Sequence, residues 1–256
     1  MYTARYGGNS ACIEVRCGGH VLIFDAGSGL RGLGQALLRD ATATRIDIIL
    51  SHCHLDHVIG LPYFAPLHRQ GVEIRFWAGN LPPQMALKEV VQRLISFPLS
   101  PLAIETFQAH LQFQDFEPGD VLKPYDGVTL QTALLRHPGG SVGFRLDYAG
   151  RAFAYLTDTE SGDPAVDARL VALAKDADLV VCDATFTDKE LPARRGWGHS
   201  SWQQSLALAQ QAAAKRVALF HHDPEHSDDL LDQIAAEAEA IHPGTIVARE
   251  GLCLKF

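Results

Sequence analysis

Ser51-His-Cys-His-Leu-Asp-His57 packs three imidazoles and a carboxylate into six residues. It directly follows residues 46–50, an apolar run interrupted only by Asp47. Such a run reads as a buried strand. His52, His54, Asp56 and His57 therefore leave a strand end on a loop. A regular strand would alternate these side chains between its two faces, whereas a loop can fold them around an ion. Imidazole and carboxylate suit zinc, manganese or iron, and no cysteine is needed among them. Cys53, between two of these positions, reads as a packing residue.

Outward from this stretch the chain alternates strand-like and helix-like segments, the pattern of an α/β fold. Residues 11–15 and 21–24 are β-prone runs around Gly18-Gly19, a hairpin signal. Ser28 is placed to cap a helix carrying Leu30, Leu33, Leu37 and Leu38. A helix is expected after Asp163-Pro164, with Val166, Leu170 and Leu173 on one face. Residues 179–181 and 217–220 read as strands. Ser200-Ser-Trp-Gln203 fits a capping box for a helix reaching about Ala214. Ser227, Asp228 and Asp229 open a last helix, and 245–248 and 252–256 read as terminal strands.

The two halves echo each other. Gly7, Gly19, Asp25 and Asp47 have counterparts in Gly139, Gly150, Asp158 and Asp178, at offsets of 132, 131, 133 and 131 residues. The polar residues that end the paired strands fall at matching places. This is the mark of an internal duplication. Residues 80–126 interrupt it with prolines and aromatics, including Pro82-Pro83, Phe97-Pro98 and Phe116. They read as an insertion or lid within one domain spanning 1–256.

Composition narrows the possibilities. The 256 residues carry 22 Lys and Arg against 30 Asp and Glu, a net charge of −8, and twelve histidines. No run of 18 apolar residues exists, so no membrane span is expected. The first ten residues show no charged-then-apolar leader. Five scattered cysteines without a C-x-x-C pair suit a reducing, cytoplasmic setting. The acidic balance disfavours long nucleic acid, whose binding needs phosphate-neutralising side chains.

The histidine-rich stretch resembles the signature of the metallo-β-lactamase superfamily, and the resemblance runs in order along essentially the whole chain. It implies an α/β fold: a four-layer αβ/βα sandwich of two facing mixed sheets flanked by helices, consistent with the duplication. In that resemblance Asp25 orients the metal loop. His52, His54 and His137 bind one metal, and Asp56, His57 and His221 bind a second, with His222 as the alternative to His221. Asp158 bridges the two. Two divalent ions are implied, zinc first, with manganese or iron as alternatives.

Cys182-Asp-Ala-Thr-Phe and Gly196-Trp-Gly-His-Ser-Ser201 are similar to elements of the tRNA 3′-processing endonucleases and of phosphonate-pathway cyclic phosphodiesterases. The resemblance makes His199 the proton donor to the leaving alkoxide. Asp183 replaces the usual glutamate and, with Asp25, is expected to orient imidazoles. The implied reaction is attack of a metal-bridging hydroxide on a phosphodiester, with Asp56 and Asp158 at the metals.

The 80–126 segment offers only Lys88, Arg93 and Lys123 as basic groups. A small or cyclic phosphodiester is therefore expected, with Arg194 and Arg195 as candidate phosphate contacts. A homodimer is compatible with the sequence. The competing readings are a lactone, thioester or β-lactam hydrolase on the same metals, a non-enzymatic sensor or binding module, and an oxygen-activating iron protein.

Overall fold

The computed structural model describes residues 4–40 and 42–256. Met1, Tyr2 and Thr3, part of the segment inspected for a leader, lie outside the described residues. The chain forms two compact units, Asn9–Glu117 and Pro118–Phe256, the latter joined by the N-terminal segment up to Gly8.

In the first unit β1 (Ile13–Cys17) and β2 (His20–Phe24) pair antiparallel across the Gly18-Gly19 turn. Then β3 (Arg45–Ile49), β4 (Glu73–Ala78) and β5 (His110–Asp115) add in parallel, in the order β1-β2-β3-β4-β5. Alternate strand residues (Val21 and Ile23, Ile46 and Ile48, Ile74 and Phe76) share one core with Leu30 and Leu37 of α1 (Leu30–Arg39). Two further helices, α2 (Leu55–Val58) and α3 (Leu87–Leu94), complete the unit. Asp47 interrupts the apolar run because it has partners. Its Oδ1 accepts from an Arg75 guanidinium nitrogen at 2.6 Å and from Trp77 Nε1 at 2.7 Å. A fully buried carboxylate is tolerated only when paired in this way.

The second unit is a seven-stranded sheet in the order β12-β11-β10-β9-β8-β7-β6. Its strands are β6 (Val121–Leu122), β7 (Val128–Leu135), β8 (Ser141–Tyr148), β9 (Arg151–Leu156), β10 (Leu179–Asp183), β11 (Val217–Phe220) and β12 (Ile246–Val247). Its helices are α4 (Pro164–Ala174), α5 (Leu191–Arg194), α6 (Trp202–Gln211) and α7 (Asp228–Ile241). Ala152, Ala154, Leu156, Val180 and Leu219 pack against Leu170 of α4, Leu206 of α6 and Ile234 of α7. Asp163 caps α4, accepting from the backbone of Ala165 and Val166, with Pro164 at the first position.

The duplication is visible in the pairing. The β1–β2 hairpin is followed by parallel β3, β4 and β5; the β8–β9 hairpin is followed by parallel β10, β11 and β12. Residues 80–126 supply α3 and β5 to the first unit and β6 to the second.

Three local expectations need correction. Ser28 does not cap α1; its Oγ instead accepts from the Ser10 backbone at 2.8 Å and bonds Asn9 at 2.9 Å, tying the N-terminal loop down. The capping box of α6 lies one residue later, at Ser201 and Gln204, and the helix ends at Gln211. Ser200 is instead drawn inward, its Oγ donating to the Thr159 carbonyl at 2.6 Å. Residues 252–256 form no strand. No described helix is long and apolar enough to cross a membrane.

Candidate functional site

In the first unit the site is built where β2 and β3 end. Asp25 follows β2 directly and turns the chain with a left-handed φ of 60°. Non-glycine residues rarely adopt this conformation, and it costs about 1–3 kcal/mol when held. Here it aims a fully buried carboxylate at the histidine loop. Asp25 Oδ1 accepts from the Ser51 backbone at 2.7 Å, and Oδ2 accepts from Ser51 Oγ at 2.8 Å and from His57 Nδ1 at 2.8 Å.

These bonds settle two tautomers. A carboxylate only accepts, so His57 carries its proton on Nδ1, and its lone pair sits on Nε2. Ser51 Oγ gives its proton to Asp25, so it accepts from His52 Nδ1 at 3.1 Å. His52 therefore also carries its lone pair on Nε2. His57 Nε2 lies 3.2 Å from Asp56 Oδ2, and the His52 ring centroid is 4.4 Å from that of His54 and 4.2 Å from that of His57. The structure thus brings Asp25, His52, His54, Asp56 and His57 together.

Backbone contacts lock the loop. Ala26 donates to the His57 carbonyl at 2.8 Å, and Gly60 donates to the Ala26 carbonyl at 2.9 Å. Gly27 and Gly60 make this approach possible. A Cβ on Gly60 would collide with the Gly27 carbonyl, and a Cβ on Gly27 with that of Asp56. Cys53 packs against the core, and burial pushes its thiol up to about 12.

In the second unit Asp158 follows β9 with φ 52°, and His221 follows β11 with φ 60°. Ser141 Oγ donates to the Asp158 carbonyl at 2.6 Å and Thr157 Oγ1 to its Oδ2 at 2.7 Å. His137 Nε2 lies 3.7 Å from one Asp158 oxygen and His221 Nε2 lies 3.5 Å from the other. His137 Nδ1 donates to the Gly198 carbonyl at 2.9 Å, which leaves its lone pair on Nε2. Thr185 Oγ1 donates to the His221 carbonyl at 2.7 Å and is 3.2 Å from His221 Nδ1. With its proton committed, that oxygen accepts from Nδ1, and His221 too carries its lone pair on Nε2, toward Asp158.

His222 points elsewhere. Its Nε2 donates to the Ala248 carbonyl at 3.1 Å, and burial lowers its pKa to about 4. His199 stacks on His221, with centroids 5.0 Å apart. Its Nδ1 donates to Asp183 Oδ2 at 2.7 Å. Burial by itself would lower the His199 pKa; the charge and hydrogen bond of Asp183 outweigh it, and the pKa is raised. Asp183 is fully buried, and its Oδ1 accepts from the backbone of Thr185 and Ser200 at 3.1 and 3.2 Å. Arg194 lies over the Trp197 ring, and Arg195 lines a cavity of about 540 Å³ with Arg136 and Glu160.

The donor chemistry fits divalent ions in each unit. Imidazoles whose second nitrogen is held by a carboxylate, hydroxyl or carbonyl are arranged as metal ligands are. Ligand atoms of His137, Asp158 and His199 lie within 4.8 Å of one another, as do those of Asp183, His199 and His221.

A model of the beta-lactamase superfamily domain matches residues 20–222. The chain belongs to the beta-lactamase superfamily. Ribonuclease Z of Halobacterium salinarum is 24 % identical over 295 residues, covering 95 % of this chain and 91 % of that protein. The solved structure of human tRNase Z, short form, superposes with a TM-score of 0.70 at 22 % identity, covering all of this chain and 95 % of that one. A diphosphatase of the PhnP family gives a TM-score of 0.68 at 20 % identity, covering 96 % and 83 %. The chain has the α/β metallo-β-lactamase fold, two mixed sheets with helices, and, with its ribonuclease Z relatives, it is a hydrolase of that superfamily. Its relatives fall in the phosphodiesterase branch.

Sequence reasoning overlooked Ser51, Thr185 and Gly198. Ser51 and Thr185 stand inside stretches quoted for their neighbours, and Gly198 next to His199. Nothing local distinguishes a serine that relays a carboxylate to an imidazole from one that is merely polar.

Proposed function

We propose that this protein is a metal-dependent phosphodiesterase acting on a small or cyclic phosphodiester. The observation that carries the reading is the Asp183–His199 pair, a buried carboxylate that holds Nδ1 of an imidazole stacked on His221 and raises its pKa. An acid of this kind is needed to protonate a departing alkoxide, a poor leaving group. Opening a lactone or β-lactam calls more for an oxyanion donor. The ribonuclease Z relatives support phosphodiester chemistry. The net charge of −8 and the few basic groups of 80–126 support a small substrate over tRNA.

In this reading two divalent ions, zinc first, would be held by His52, His54 and His137 and by Asp56, His57 and His221, with Asp158 serving both. When bound, such ions lower the pKa of an attacking water and neutralise charge on phosphate oxygens. The chain's own groups do the rest. Asp25, through Ser51 and directly, orients His52 and His57. Thr185 orients His221, and Gly198 orients His137. His199 delivers the proton from Nε2 while Asp183 holds Nδ1. We read 1–256 as one catalytic domain and the cytoplasm as its place of work.

The test is elemental analysis of the purified protein followed by a substrate panel. The panel holds bis-p-nitrophenyl phosphate, 2′,3′- and 3′,5′-cyclic nucleotides, a lactone and a β-lactam. Two equivalents of metal and turnover of the phosphodiesters are expected. Turnover of the lactone alone would overturn the reading.

A further inference from the structure

Trp197 is 55 % exposed, yet its loop is held on both sides of it. Glu160, itself nearly buried, accepts from the backbone of Gly196 at 2.8 Å and of Gly198 at 3.1 Å, one on each side of the tryptophan. The Trp197 backbone donates to the Arg194 carbonyl at 3.1 Å. Both glycines have positive φ, 83° and 86°, so the loop holds a shape that other residues adopt only with strain. The ring is fixed as well. The Arg194 guanidinium lies 4.7 Å from its centroid, and buried Phe186 meets it edge-on at 6.4 Å. An indole of this size is normally covered, since it offers a large apolar area for burial. This one is rigid and open.

Its position gives the openness a use. Trp197 is two residues from His199, and the same loop passes its Gly198 carbonyl to His137. A flat ring held beside a proton donor, with a guanidinium on it, has the make-up of a stacking platform for a nucleobase. We propose that Trp197, backed by Arg194, stacks the base of the substrate's leaving group, so that the substrate is a phosphodiester carrying a nucleoside on that side. This deepens the phosphodiesterase reading and rests on it.

Binding of adenosine 5′-monophosphate and ribose 5-phosphate to the metal-loaded protein, measured by calorimetry, tests the idea without turnover. The two ligands share phosphate and ribose and differ by the base. The wild type is expected to prefer the nucleotide by about tenfold or more, within the range that base–aromatic stacking supplies. Trp197→Ala should bring the ratio close to one, and Trp197→Phe should keep most of it. Elemental analysis of each variant shows whether the His137 side is intact. Adenosine 5′-monophosphate should also quench a share of the wild-type tryptophan emission that is absent from Trp197→Phe. A wild-type ratio near one, or a preference unchanged in Trp197→Ala, overturns the platform while leaving phosphodiester hydrolysis standing. Failure of both ligands to bind overturns the phosphodiesterase reading itself.

Discussion

Nδ1 of His57 donates to Asp25 Oδ2 at 2.8 Å, and both side chains are fully out of solvent. The same carboxylate also takes the Ser51 hydroxyl and through it sets His52. One acidic residue at the end of β2 thus decides which nitrogen two histidines present.

Removing that carboxylate should therefore cost metal and stability together. Asp25→Ala is expected to weaken metal binding by about 10–100-fold, the usual effect of losing an outer hydrogen-bond partner. It should also destabilise the protein by about 3–5 kcal/mol, as breaking a buried charged network does. Competition with a chelator and urea denaturation measure the two effects. Ser51→Ala should weaken binding less, because His57 keeps its direct partner.

His199 acts as an acid in the proposed reaction, so its importance should scale with the leaving group. His199→Ala is expected to keep its metal and lose about 10²–10⁴-fold in kcat on a substrate that leaves as an alkoxide. With p-nitrophenolate, which departs without a proton, the loss should be much smaller. Equal losses on both substrates would count against the role.

The pH profile follows from Asp183. Its charge raises the His199 pKa against the lowering effect of burial. The acid form then persists above the ordinary 6.5, and activity on an alkoxide-leaving substrate should fall only as pH rises past the raised value. In Asp183→Asn the largest raising influence is gone, so the alkaline limb should move to lower pH. A profile of kcat/KM against pH, wild type beside variant, gives the sign.

His221 and His222 should separate cleanly. His221→Ala is expected to lose metal, since Nε2 of His221 faces Asp158. His222→Ala should keep its metal and lose about 0.5–1.5 kcal/mol of stability with its bond to the Ala248 carbonyl. Elemental analysis after dialysis distinguishes the two.

Asp178 predicts an acid limb of stability. Burial tends to raise its pKa, but hydrogen bonds from the Ala152 backbone, Lys215 and Arg151 bring it down to about 2, below its ordinary 3.8. The stability this contributes is complete above the unfolded value and is lost as pH falls from about 4 toward 2. The urea midpoint of Asp178→Asn should vary less with pH across that window than the wild type's.

Much of this protein was legible along the chain. The strand before Ser51, the dense histidine loop, the apolar faces of α1 and α4 and the repeated hairpins are local patterns of spacing. Such patterns survive in sequence because 2.0 and 3.6 residue periods set which side chains share a face. Tertiary structure alone decided the rest. Ser28 bonds the N-terminal loop instead of capping α1, and the cap of α6 sits at Ser201 because Ser200 is pulled to Thr159. His221 and His222 are neighbours with the same chemistry, yet one faces Asp158 and the other Ala248. The choice of ring nitrogen lies with Asp25, Thr185 and Gly198, which are 32, 36 and 61 residues from the histidines they hold. A proton's place on an imidazole depends on the atom opposite it, and folding brings that atom from far along the chain.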